Sequence, residues 1–272
     1  MKKILEVRHL KVSPINDPRK ILVNDASFDL YPGRTTCIVG ESGSGKSLTA
    51  LSIMKLLSSQ LKQTGDIFFE GQNIAHLSNA EMRHYRGKSM AMIFQEPMTS
   101  LNPVISIGDQ IKEAISVHLD LHKKSLDKKV VSLLKEVGIP EDRISSYPDE
   151  LSGGQRQRIM IAMSIACEPS ILIADEPTTA LDMTVQAQIL KLLSILKEKR
   201  QMAMLFITHD FGVVEEIADD VMVMYQGRIV ERGSVKEVLK KPKHAYTKAL
   251  LQCVPDAKGI KKLKPIQHRT FI

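Results

Sequence analysis

The chain has 272 residues, with 38 Lys and Arg against 31 Asp and Glu (net +7), 43% hydrophobic residues, three cysteines and no tryptophan. Length and apolar content exclude wholesale disorder and allow one large domain or two small ones, with a core that needs no disulfide or structural zinc. No run approaches the roughly 18 apolar residues that span a bilayer, and Met1-Lys2-Lys3-Ile4-Leu5-Glu6 reaches a charge too soon for a signal peptide, so a cytosolic protein, alone or docked, is expected. Cys37, Cys167 and Cys253 are odd in number and contain no C-x-x-C pair, which fits a reducing compartment. The basic residues are scattered, so charge alone does not choose between nucleic acid, an anionic membrane and no specific partner.

Ile4 to Leu10, a Pro/Asn/Asp turn region and a second apolar run ending before Tyr31-Pro32-Gly33 predict short antiparallel strands. Thr35 to Val39 reads as another strand, followed by a glycine-rich loop and a helix with apolar spacing over Leu48 to Leu57. From about 96 to 166 the chain looks helical, notably at Ile111 to Ile115 and Lys128 to Val137. Ile171 to Ala174 and Met204 to Ile207 are continuous apolar runs, as parallel strands covered on both faces require, and a helix over about 185–199 links them. Val221 to Tyr225, the turn Gln226-Gly227 and Arg228 to Glu231 predict a hairpin, and Lys236 to Lys240 a last helix. The basic run Lys258 to Lys264 reads first as a solvated tail.

Two motifs carry phosphate chemistry. Gly40-Glu41-Ser42-Gly43-Ser44-Gly45-Lys46-Ser47 fits G-x-x-x-x-G-K-[ST] between a strand and a helix. Its glycines let successive N–H groups turn inward toward phosphate oxygens, and the helix adds its positive end. Lys46 would reach the β- and γ-phosphates, and Ser47 would offer its hydroxyl to Mg²⁺. The run ending Asp175-Glu176 delivers two carboxylates at the C-terminal end of a strand, where open α/β sheets bind ligands. Asp175 would hold Mg²⁺, and Glu176 would act as general base on the attacking water.

Leu151-Ser152-Gly153-Gly154-Gln155, followed by Arg156-Gln157-Arg158, resembles the signature motif of ABC-type ATPases. The resemblance covers roughly residues 4 to 250. It also takes in the P-loop, Gln95, Asp175-Glu176, Ala180-Leu181-Asp182 and Thr208-His209-Asp210, all in register. It implies an α/β P-loop NTPase fold: a RecA-like core, an N-terminal antiparallel β region and an inserted helical subdomain at about 96–166. The nucleotide-binding domain would span 1–250, with a short basic tail at 251–272. In such a protein Ser152, Gly153, Gly154 and Gln155 form an anion site that closes on ATP bound by a second subunit. Gln95 touches Mg²⁺ or the attacking water, His209 contacts the γ-phosphate, and Asp182 meets the opposing subunit's P-loop. The aromatic residue that usually stacks on adenine is missing from Lys11 to Asn16, so base stacking is either weakened or supplied by Pro14 and Ile15.

Gln95 to Pro103, Thr178 to Leu190 and His244-Ala245-Tyr246-Thr247 are similar to the oligopeptide, dipeptide and nickel importer ATPases, with Ala245 in place of the usual proline. The resemblance implies a peripheral ATPase at the cytoplasmic face of the membrane. Its partners would be membrane permease subunits, a second ATPase subunit (a related chain or itself) and, indirectly, an extracellular solute-binding protein, with no nucleic acid. The short end after Pro265 tilts the expected cargo toward nickel or metal chelates over short peptides. A soluble ABC ATPase acting on nucleic acid or ribosomes is the alternative, but the chain has neither two cassettes nor a long coiled-coil insertion. Glu176 and His209 argue against a non-hydrolysing subunit. His118 and His122 have the i, i+4 spacing of a shared metal site on a helix, yet lack a third ligand and read as a solvated face. The thirteen methionines read as core filler.

Overall fold

Alternation along β1 (Leu5–Pro14) buries Leu5, Val7, Leu10 and Val12 and leaves the charged residues between them accessible. In the computed structural model, which describes residues 2–95, 100–179 and 181–253, this strand centres an antiparallel sheet. Its order is β2 (Val23–Leu30), β1, β4 (Leu61–Phe69), β5 (Gln72–Asn73). The alternation changes phase after Arg8, where the register shifts and His9 takes φ 51°. The strand continues past the bulge to Pro14, beyond the Leu10 at which the sequence predicts a turn. Across from it Gly65 leaves room for the bulged backbone, since a Cβ there would stand 2.5 Å from the His9 carbonyl oxygen.

The chain divides into two compact units, one of residues 1–4, 31–33 and 76–205 and one of 5–30, 34–75 and 206–272. The second unit holds the antiparallel sheet and a further ladder in which β3 (Thr35–Val39) runs parallel to β9 (Asp220–Tyr225). β9 pairs in turn with β10 (Arg228–Ser234) across the expected hairpin. Every residue of β3 is buried, so the run has no polar face. Its start is held by the Thr35 N–H, which donates to the Asp219 carboxylate at 2.7 Å, and by Arg34, which pairs with Asp220 at 2.8 Å. Burial pushes the Cys37 thiol up, with Asp219 adding to the effect, and all three cysteines are free.

The first unit holds β6 (Met90–Ile93) parallel to β7 (Ile171–Asp175), all nine residues buried. β8 (Ala203–Thr208) begins in this unit, where the Ala203 N–H donates to the Ser170 carbonyl at 2.9 Å. Between β6 and β7 lie helices Ile107–Ser116, Lys123–Glu136 and Gly153–Ser164 and two 3-10 turns, with no strand among the described residues from 100 to 164. The helical reading of His118 to His122 is corrected. The first of these helices ends at Ser116 and the next starts at Lys123, so the two histidines lie in the connection and not on one helical face. His118 is instead packed on the backbone at Gly87, and burial together with Lys88 lowers its pKa. No helix among the described residues is long and apolar enough to cross a membrane.

Glu136 ends one helix and accepts from Arg200 at 2.7 Å and Lys199 at 2.9 Å, both in the last turn of helix Met183–Arg200. Arg200 also donates to the Ile165 carbonyl at 2.8 Å. Burial opposes ionisation of Glu136, but these two cations outweigh it and hold the carboxyl below its ordinary range. A lowered carboxyl pKa adds stability above the unfolded value, which is lost as pH falls through the folded value. Glu136→Gln is therefore expected to cost about 1–3 kcal/mol at pH 7 and much less near pH 3, as read by urea melts at both pH values.

Candidate functional site

The loop between β3 and helix Lys46–Ile53 is shaped by contacts that exclude side chains. A Cβ on Gly40 would lie 2.2 Å from the Met224 carbonyl oxygen, and one on Gly45 2.9 Å from the Leu22 carbonyl oxygen. Gly45 has φ 105° and Gly43 φ 78°, in the region that only glycine occupies at little cost. The loop is tied to the hairpin turn by the Gly227 N–H, which donates to the Ser44 carbonyl at 2.9 Å. Lys46 is 5% exposed and folds back over the loop, donating from Nζ to the Gly40 carbonyl at 2.8 Å and the Glu41 carbonyl at 2.9 Å. The buried Ser44 hydroxyl has no hydrogen-bond partner among the described residues. A buried ammonium, an orphaned hydroxyl and the start of a helix together fit a polyphosphate group. Ser47 follows Lys46 in the helix's first turn and is half-buried, while Ser42 is exposed.

His209 belongs to the same unit and is exposed just past β8, between Thr208 and Asp210. Asp210 caps helix Phe211–Ile217 by accepting from the Gly212 N–H at 2.7 Å, and its own N–H donates to the Thr208 hydroxyl at 3.0 Å. Two bonds thus hold the turn that carries the histidine.

The first unit carries the other candidates. Asp175 ends β7 and is 5% exposed. Glu176 follows with φ 47°, a left-handed conformation that costs a non-glycine residue about 1–2 kcal/mol. Thr179 holds it there: its N–H donates to the Glu176 carbonyl at 3.2 Å and its hydroxyl to Glu176 Oε2 at 3.0 Å. Gln95 Nε2 approaches the same carboxylate oxygen at 3.4 Å, so the structure brings Gln95 and Glu176 together.

Ser152 caps helix Gly153–Ser164, with a capping box in which its oxygen accepts from the Gln155 N–H and Gln155 Oε1 accepts from the Ser152 N–H. The exposed helix start therefore presents the Gly153 and Gly154 N–H groups, while Ser152 and Gln155 brace each other. Gly154 is needed for packing, since a Cβ would stand 2.6 Å from Val185 Cγ1. Arg156 anchors the same helix, donating to the Pro148 carbonyl at 2.7 Å and the Leu151 carbonyl at 3.1 Å. Asp182 is exposed and caps helix Met183–Arg200 by accepting from the Val185 N–H at 2.9 Å. Glu96 to Thr99, Ala180 and Lys258 to Lys264 lie outside the described residues.

The family model described as ABC transporter matches residues 23–179, from the start of β2 through the Asp175-Glu176 turn. The chain belongs to the ABC transporter family. A second model, described as the oligopeptide/dipeptide transporter C-terminal region, matches residues 230–270. The glutathione import ATP-binding protein GsiA of Escherichia coli strain K12 is 49% identical over 270 residues, and that of Shigella flexneri 48%. These alignments cover 96% of this chain and 43% of each relative, so the chain spans less than half the length of the curated relatives it matches. CbiO1 from Clostridium perfringens, part of the ABC transporter complex CbiONQ, has a TM-score of 0.77 and 28% identity, covering 89% of this chain and 92% of CbiO1. The ATP-binding cassette MJ0796, in a dimeric post-hydrolysis state bound to ADP and Pi, shares the fold with a TM-score of 0.74 at 24% identity, covering 85% of this chain and 98% of that cassette.

In this ABC protein one contributor escaped the motif reading. Thr179 was visible only as part of an importer-type string, and its bond to Glu176 depends on a backbone turn that no spacing encodes. Pro14 ends β1, and Ile15 just after it is 53% exposed. Gly40→Ala is expected to lose nucleotide binding and about 2–4 kcal/mol of stability, because a backbone oxygen must move. Gly43→Ala meets no atom within 4 Å and is expected to cost only about 1–2 kcal/mol for its positive φ. Nucleotide titration and thermal melts of both variants check this contrast.

Proposed function

We propose that this chain is the ATP-hydrolysing subunit of an ABC importer for short peptides. The observation that carries the ATPase part is the buried Lys46 ammonium, held inside a loop whose shape admits no side chain at Gly40. In this reading the Gly40 to Ser47 segment wraps the phosphates and Lys46 exchanges its carbonyl partners for phosphate oxygens. Ser47, Asp175 and Gln95 are the residues that would hold Mg²⁺, which would neutralise charge on the phosphates. Glu176, aimed by Thr179 and Gln95, takes the proton of the attacking water. His209 contacts the γ-phosphate from the end of β8.

The exposed, capped start of helix Gly153–Ser164 suits an anion delivered from outside the chain. That supports pairing with a second ATPase subunit, itself or a related chain, with each signature closing on the other's ATP and Asp182 at the join. Permease subunits would receive the movement, a solute-binding protein would deliver the cargo, and the chain would sit at the cytoplasmic face of the membrane. The cargo assignment rests on the match at 230–270 and on the glutathione import relatives, which support a peptide over nickel or a metal chelate. A soluble role on nucleic acid or ribosomes is not favoured, because the C-terminal match is to a transporter region.

Glu176→Gln is expected to bind ATP with unchanged affinity while turnover falls by about 10²–10⁴-fold, read by nucleotide titration and phosphate release. Unchanged turnover would remove Glu176 from the role of base. In cells, Lys46→Ala is expected to abolish uptake of glutathione or di- and tripeptides and to leave nickel uptake intact. Loss of nickel uptake alone would reassign the cargo, and no loss of either would end the importer reading.

A further inference from the structure

The helix Ala245–Cys253 reaches the phosphate loop through one side chain. Tyr246 is fully buried, its ring centroid 4.1 Å from that of Tyr225 with the planes at 34°. Its hydroxyl oxygen accepts from the Glu41 N–H at 3.3 Å, and its proton is directed to Glu41 Oε2, also at 3.3 Å. Both bonds are long, so neither is strong alone. Their placement matters more: the Glu41 N–H and the Gly40 carbonyl belong to one peptide group, and that carbonyl accepts from Lys46 Nζ at 2.8 Å. The peptide plane at the mouth of the loop is therefore held by Tyr246 on one edge and by Lys46 on the other.

The helix that carries Tyr246 is itself fastened. Glu231 in β10 accepts from the Lys243 N–H at 2.7 Å and the His244 N–H at 3.0 Å, and the Tyr246 N–H donates to His244 Nδ1 at 3.2 Å. Burial disfavours the Glu231 charge, but these backbone donors outweigh it and hold the carboxyl below its usual range. Burial, with Glu41 beside it, pushes the Tyr246 phenol well above the ordinary tyrosine value, so the proton stays on the oxygen.

We infer that Tyr246 is a positioning residue for the nucleotide site: it orients the Gly40–Glu41 peptide, and through it the Lys46 ammonium, so that docking of the C-terminal helix is coupled to ATP affinity. This rests on the reading that the loop binds ATP. Coupling is reciprocal, so nucleotide tightens the docking of Ala245–Cys253.

The test uses the full chain as wild type, Tyr246→Phe and Tyr225→Phe, the last removing a hydroxyl that accepts from Gln226 on the other ring of the pair. Tyr246→Phe is expected to raise the Kd and KM for ATP about threefold to tenfold with kcat changed less than about twofold. In nucleotide-free protein, hydrogen exchange at the Glu41 amide is expected to speed up without a matching rise in the β1 and β4 amides. Tyr225→Phe keeps wild-type affinity. Wild-type affinity and Glu41 exchange in Tyr246→Phe would overturn the inference, as would an equal loss in Tyr225→Phe. If Tyr246→Phe fails to fold, Glu231→Ala loosens the helix and leaves the ring in place; unchanged ATP affinity in that variant would overturn the inference. Failure of the wild type to bind ATP would instead sink the ATPase reading, and Glu41 exchange would still decide whether Tyr246 holds the loop.

Discussion

Backbone packed against backbone at the phosphate loop is the constraint on which the rest of the site depends. The Met224 carbonyl of β9 and the Leu22 carbonyl before β2 occupy the space where side chains of residues 40 and 45 would otherwise be. That crowding forces the loop into one shape, and the shape turns the Gly40 and Glu41 carbonyls toward Lys46. An ammonium so placed has exchanged water for two carbonyl oxygens. A polyphosphate offers it a charged partner in place of these neutral ones, so the ligand gains from a site already organised.

The same economy appears at the helix starts. Ser152, Asp182 and Asp210 each cap a helix with the side chain that the family resemblance assigns to, or places beside, a functional point. A capped start leaves the remaining first-turn N–H groups aligned outward, which is what an anion requires. On the proposed roles, structural and chemical duties would fall on the same residues, and substitution there would disturb both. Glu176 follows a related pattern: its left-handed backbone is unfavourable by itself and persists because Thr179 bonds both its carbonyl and its carboxylate.

Much of this was legible in the sequence because it depends on local chemistry. The P-loop, the signature and the Asp175-Glu176 pair are short runs whose glycines, hydroxyls and charges act within a few residues. The apolar runs of β3, β7 and β8 announce strands buried on both faces. Where a feature depends on distant partners, the sequence misleads or is silent. The strand expected to stop at Leu10 runs on to Pro14 past the bulge at His9, and β4 carries too few apolar residues in Leu61 to Asp66 to declare itself. Spacing of four residues made His118 and His122 look like one helical face, although the helix ends before them.

Sequence alone determined the family, the order of the motifs and the residue types that can bind phosphate, because those follow from composition within each short segment. Tertiary structure decided which of them act together: Gln95 and Thr179 on one Glu176 oxygen, Met224 and Leu22 against the loop glycines, and Tyr246 from the far end of the chain on the Glu41 peptide. The reason is physical. A hydrogen bond or a steric exclusion is set by distances of a few tenths of an ångström between atoms up to 205 positions apart, and no local pattern encodes such a distance.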